Sequence, residues 1–184
     1  MSEPTVAPGE DLDPAATALL DLARERPWSE ISLRDVAGRA GVELVDLYGE
    51  ARGKAAILRR ISEMLDRAAL RTAATTSDDP HDRLFDATMA RVEAMEAHRE
   101  ALRSMARGEG PISIAPHLPL TARAILEAAG VTATPPRLAA MTLVWGRVVR
   151  VWRDDEGALN RTMAEIDKRL KQMRTRLGRI GAGF

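Results

Sequence analysis

From Asp13 almost to the end of the chain, apolar side chains recur at intervals of three and four residues. That is the helical period. The one segment that reads as extended, Ile112-Ser113-Ile114, is too short and isolated to seed a sheet. The chain is therefore expected to be all-α, with eight or nine helices and essentially no strand. An ordinary domain is only about one-third helical. Its 184 residues suit one compact domain or two small ones. That length can bury a core without covalent staples.

Pro, Gly and capping residues mark where the helices begin and end. Asp13 followed by Pro14 opens the first helix, and Ala16, Leu19, Leu20 and Ala23 form its apolar face. Pro27 stops it. Ser32 and Asp35 form a short-armed capping box for a helix over residues 33–40, burying Leu33, Val36 and Ala37. Gly41 makes a turn into a short helix over residues 42–49, with Val42 and Leu47 as its core anchors. Residues 54–74 read as a longer helix with Ile57, Leu58, Ile61, Leu65 and Ala68 on one side. After the linker TTSDDP, one long helix is expected from Pro80 to Arg107. The stretch GEGPISIAPHLP reads as a loop. Helices follow over residues 118–129, 135–152 and 158–177.

Composition narrows the function. There is no Cys, which excludes disulfides, thiolate metal sites and Cys nucleophiles. His81, His98 and His117 are too dispersed to suggest a metal site. No phosphate-binding loop, dinucleotide fingerprint or nucleophile motif is present, and Ser104 and Ser113 stand without a supporting motif. The acidic turn Asp154-Asp155-Glu156 lacks an oxygen-ligand loop pattern and reads as solvated. The chain is expected not to be an enzyme and to need no cofactor and no metal. Residues 1–13 hold four acids, no base and two Pro, so they read as a disordered acidic tail rather than a signal peptide. No apolar run is long enough to span a membrane, and a cytoplasmic location is expected. Lys plus Arg and Asp plus Glu each number 27, so net charge gives no global pull toward nucleic acid or lipid.

The last helix carries a narrow seam. Met163, Ile166, Leu170, Met173, Leu177 and Ile180 are spaced by three and four residues over nearly three heptads. Residues 161–184 hold seven basic and two acidic side chains, a surplus of five positive charges. Such a helix can pair in a dimer, dock on its own core, or lie on an anionic membrane. Trp145 and Trp152, seven apart, share a face of the preceding helix with Val148 and Val149.

The segment SLRDVAGRAGVELVDLYGEARGKAAIL reads as a helix-turn-helix. Ala37 lets its two helices approach, and Tyr48 would point toward a phosphate. Here the sequence resembles the TetR family of bacterial regulators. The shared pattern is a Ser-led helix at Ser32, the turn Ala40-Gly41-Val42, the pair Leu47-Tyr48 and Lys54 opening the next helix. Trp28 stands where that family often has an aromatic. The resemblance implies a helix-turn-helix domain over residues 14–60 and a helical ligand-binding and dimerisation bundle over 61–184. It implies contacts to double-stranded DNA from Ser32, Arg34, Glu43, Leu44, Tyr48, Arg52 and Lys54. The second helix of the motif would enter the major groove. That helix, VELVDLYGE, carries Glu43, Asp46 and Glu50 and no base, so phosphate contacts fall to Arg34, Arg39, Arg52 and Lys54. Residues 14–70 balance nine bases against nine acids, whereas a phosphate-tracking surface is usually basic.

The resemblance further implies a pocket for a small apolar ligand. Phe85, Met89, Val92, Met105, Met141 and Trp145 are its candidate lining. Met makes such a pocket malleable, and the same residues would equally serve a plain core. A homodimer is implied, with Val149, Trp152, Met163, Ile166, Leu170, Met173 and Leu177 at its interface. The expected function is a transcriptional regulator, a repressor released from its operator by an apolar effector. A second resemblance points to a narrower branch of the same fold, which includes the lipid-binding accessory protein of ubiquinone biosynthesis. It rests on Arg83-Leu84-Phe85-Asp86, His98-Arg99, Trp152-Arg153-Asp154-Asp155, Thr162 and Asp167-Lys168-Arg169-Leu170. It implies an alternative: a protein that has lost DNA binding, holds a lipid or isoprenoid, and makes peripheral membrane contact through its last helix.

Overall fold

The computed structural model describes residues 13–74, 77–109, 117–155 and 158–184. Among them are nine α-helices, two short 3-10 turns and no strand. The helices are α1 (Pro14–Glu25), α2 (Leu33–Ala40), α3 (Leu44–Glu50), α4 (Lys54–Arg71), α5 (Pro80–Glu96), α6 (Arg99–Glu109), α7 (Leu118–Ala128), α8 (Pro135–Asp154) and α9 (Asn160–Arg179). Helices α1 to α3 form a small head. The remaining helices form a body, with α4 running from one into the other. The division expected after residue 60 therefore falls inside a continuous helix. Of the acidic tail only Asp13 is described, and the loop holding Ile112-Ser113-Ile114 lies outside the described residues.

Local chemistry sets most boundaries. Asp13 accepts the amide hydrogen of Ala16 at 2.7 Å and caps α1. Ser32 and Asp35 close the expected capping box at the start of α2. Gly41, at φ 69°, ends α2 in the left-handed region, and the Val42 amide donates back to the Ala37 carbonyl at 3.1 Å. That six-to-one closure satisfies orphan carbonyls as a Schellman turn does. Asp79 caps α5 with Pro80 behind it. Helix α9 starts differently. Leu159 is the only non-glycine residue with positive φ among those described. The Asp155 carboxylate reaches forward to accept from the Thr162 amide and hydroxyl at 2.9 and 2.8 Å. Those buried bonds offset a backbone conformation that costs about 1–3 kcal/mol. Asp155 of the acidic turn is thus a capping group, and Glu156 lies outside the described residues.

Three expectations need correction. The long helix expected over Pro80 to Arg107 is broken at Ala97-His98 into α5 and α6. No Pro or Gly marks the break. Instead Arg99, at the head of α6, grips Glu96 and the carbonyls of Trp152 and Asp155, so tertiary contacts turn the chain. Val42 does not anchor α3. It is exposed, and Leu47 alone of that pair is buried. On α4 the fully buried position is Ala69, with Ala68 only half-buried.

A fourth correction concerns α9. Trp152, Ile166, Leu170, Met173 and Leu177, expected at a dimer interface, are buried inside one chain. α9 folds back along α8 and packs also on α5. Val149 is half-buried, and Met163 is exposed. A hydrogen bond between His81 and Asp167 and an ion pair of Arg174 with Asp79 fasten the same two helices, α5 and α9. The spacing marked the apolar seam correctly, but the seam is met by its own core.

The head joins the body through α6, which lies against α1 and the 3-10 turn at Trp28. A side chain at Gly108 would put its Cβ 2.5 Å from the Trp28 Cβ. On its other side, Trp28 receives Lys54 from the first turn of α4. The Nζ donates to the Trp28 carbonyl at 2.6 Å and lies 4.2 Å from the ring centroid.

Candidate nucleic-acid interface

The outer face of the head is built by α2, the Gly41 turn and α3. Leu47 pins α3 inward, and Val45 and Tyr48, two and one positions from it, turn away from that face toward solvent. Val45 is 75% exposed and Tyr48 57% exposed. For a β-branched residue on a short helix, such exposure contributes nothing to folding. Beside them an open groove of about 630 Å³ is lined by Leu33, Arg34, Glu43, Leu44, Val45, Tyr48, Arg52 and Gly53. Five residues expected to meet DNA thus converge on one surface: Arg34, Glu43, Leu44, Tyr48 and Arg52.

The other two are engaged elsewhere. The Ser32 hydroxyl belongs to the capping box with Asp35, and Lys54 is held by Trp28. Val45 escaped the sequence reading. Its signal is its position, outward on α3 between the inward pair Leu44 and Leu47.

The electrostatics of this face follow from which charges are already paired. Arg39 makes two bonds of 2.7 Å to Glu25. This pairing holds the Glu25 carboxyl below its ordinary range and lifts Arg39 above its own. Arg26 pairs with Asp35 at 3.1 Å. Arg60 bridges Asp13 and Glu50 at 3.2 and 3.4 Å. The Asp35 carboxyl, bonded to the Ser32 hydroxyl and amide and flanked by Arg26, is held down to about 2. Arg34 and Arg52 take no ion-pair partner among the described residues, and neither do Glu43 and Asp46. The groove therefore offers two available guanidinium groups, Arg34 and Arg52, and one available carboxylate, Glu43. Two cations fit phosphate contact, and the exposed Val45 fits a thymine methyl group.

Behind the head, the expected ligand-lining residues fall on α5, α6 and α8. Met89, Val92, Met105, Met141 and Trp145 are buried in the core, and Phe85 packs half-buried against it. Arg91 sits among them, only 4% exposed. Its Nε donates to the Asp66 carboxylate on α4 at 2.7 Å, and the Thr121 hydroxyl on α7 donates to the same oxygen at 2.9 Å. The guanidinium carbon lies 5.4 Å from the Trp145 ring centroid. Burial pushes the Arg91 pKa down while Asp66 pulls it up. This network was missed from sequence. Its trace is a base at position 91 on the apolar stripe of Leu84, Ala87, Thr88 and Met95, matched by an acid beside Leu65.

The architecture decides the comparison with solved structures. A TetR transcriptional regulator from Nitrosomonas europaea ATCC 19718 superposes with a TM-score of 0.70 at 19% identity, over 88% of this chain and 96% of that one. The fold is that of the TetR regulators. A TetR transcriptional regulator from Rhodococcus sp. RHA1 superposes with a TM-score of 0.64 at 16% identity, over 87% of this chain and 93% of that one. Comparison of the sequence with family models and with curated proteins finds no match. The TetR fold places the head where those regulators carry theirs and gives this chain the same all-α plan. No helix among the described residues is long and apolar enough to cross a membrane.

Proposed function

We propose that this chain is a DNA-binding transcriptional regulator that works as a homodimer and answers to a small, largely apolar effector held in the body. The observation that carries the reading is the outer face of α3. It presents Val45 and Tyr48 to solvent beside a groove whose only ion-pair-free cations, among the described residues, are Arg34 and Arg52. An exposed apolar side chain flanked by available guanidinium groups is what a groove-reading helix needs.

Two heads in a dimer would supply four such cations. The expected salt dependence of duplex binding is therefore shallow, with a log–log slope of about −4. A mobility-shift titration with DNA flanking the chain's own coding sequence, run at several salt concentrations, tests this. Binding that does not distinguish that DNA from random duplex would sink the reading. For the dimer, the buried α9 seam leaves exposed apolar side chains at Leu143 on α8, 71% exposed, at Met163 on α9 and at Ile180 at its end. Sedimentation of a Leu143→Asp variant should show a monomer.

The alternative, a lipid binder acting at a membrane, needs the apolar face of α9 free. That face lies inside the chain, so the regulator reading demands less rearrangement.

A further inference from the structure

Two arginines of the body each lie over a tryptophan of α8, and the contrast between them is informative. Arg99 is 4.9 Å from the Trp152 ring. Its Nε and Nη2 bind Glu96 at 2.8 and 2.6 Å, and its Nη1 donates to the Trp152 and Asp155 carbonyls at 3.3 and 2.6 Å. It is a finished structural clamp. Arg91, over Trp145, is more deeply buried yet unfinished. Its Nε is bonded to Asp66, and its Nη1, fully shielded from solvent, has no hydrogen-bond partner. A buried donor on a charged group left unmade is costly, and native structures almost always satisfy it.

The surroundings suit a guest. Arg91 of α5 reaches the Trp145 ring of α8, so long side chains span the distance between these two helices. Met89 and Met141, one on each helix, can repack around an inserted molecule. The charge of Arg91 is already balanced by Asp66, itself buried and held by Thr121. A carboxylate entering here would put a second anion against one cation in a dry site, where unpaired charge is strongly disfavoured. An uncharged acceptor meets the free N–H without that penalty.

We propose that Arg91 Nη1 donates to the oxygen of a neutral carbonyl compound, an otherwise apolar molecule bound between α5 and α8. The inference rests on the reading above that the body holds a small effector, and it specifies the effector's chemistry.

Three probes of similar size separate the possibilities: acetophenone, benzoate and cumene. Binding to the full chain, without DNA, is followed by calorimetry and by tryptophan emission. Acetophenone should bind about tenfold or more tighter than cumene, as expected for a hydrogen bond to a charged donor. It should also exceed benzoate. The double variant Arg91→Met/Asp66→Asn removes both charges together and should erase the preference for acetophenone while cumene still binds. A measurement on the unaltered protein stands beside it. The carbonyl stretch of bound, carbon-13-labelled acetophenone should lie at lower wavenumber than in hexane. Equal binding of acetophenone and cumene, tighter binding of benzoate, no binding by any probe, an unshifted stretch, or a preference that survives in the double variant would each overturn the proposal. The mobility-shift assay is independent of these outcomes. If DNA binding fails there while acetophenone is still preferred, the regulator reading falls and the carbonyl site stands.

Discussion

The head and the body handle charge in opposite ways. In the head, Arg26, Arg39 and Arg60 meet their acids at the surface, in pairs that water can replace. In the body, Arg91 and Asp66 are sealed beneath α7 and α8, where nothing in solvent can stand in for either. The head is shaped by caps and a few inward apolar residues, so its charges are adjustable. The body is shaped around a charge pair that must stay whole. A surface pair is worth little on average, whereas breaking a buried one leaves an uncompensated ion.

The contrast can be broken most sharply at Arg91. Arg91→Met alone should destabilise the protein by about 3–5 kcal/mol, because Asp66 remains charged and unpaired. Adding Asp66→Asn should restore most of that loss, as chemical denaturation of both variants would show. If the single and double variants unfold alike, the pair is not what organises the body. Next in size is Leu170→Ala on the buried seam of α9, with an expected loss of about 3 kcal/mol. A loss near zero would mean the seam is not core.

In the head, Ser32→Ala should cost about 1 kcal/mol through the lost cap. It should also change the acid response. Asp35 is held down to about 2 in the folded protein, against an ordinary value of 3.8. Its contribution is therefore complete above about pH 4 and is lost as pH falls through about 2. Since the Ser32 hydroxyl supplies the largest cause of that depression, and alanine keeps only the backbone amide bond, the Ser32→Ala variant should lose less stability across that window than the parent. Acid-unfolding curves of the two proteins check the sign. The smallest effect belongs to Arg39→Gln. Its pair with Glu25 is surface-exposed, and its unfolding midpoint should move less than that of Ser32→Ala.

The same divide explains what could be read from the sequence. Asp13-Pro14, Ser32 with Asp35, Gly41 and Pro135 act within a turn of themselves, so the ends they mark are legible in the chain. The α5–α6 break has no local mark. It depends on Arg99 reaching carbonyls more than fifty residues away. The α9 seam shows which face is apolar but not which surface covers it, since spacing is identical for a partner helix and for α8. At the candidate interface, Arg34, Tyr48 and Arg52, chosen by residue type, line one groove on the outer face of the head. Ser32 and Lys54 carry suitable donors, but only the folded chain reveals that Asp35 and Trp28 already occupy them.

Trp28 stands where the two regions touch. Lys54 holds one side of it and the backbone at Gly108 lies against another, with no room for even a methyl group. In mechanical terms the indole is a bearing shared by two shafts, α4 and α6. A bearing fitted this closely has no backlash: α6 cannot advance or turn at Gly108 without carrying Trp28 along. The first turn of α4 is fixed to that same ring. A displacement of α6 toward Trp28 would therefore press on the same residue that Lys54 holds from the first turn of α4.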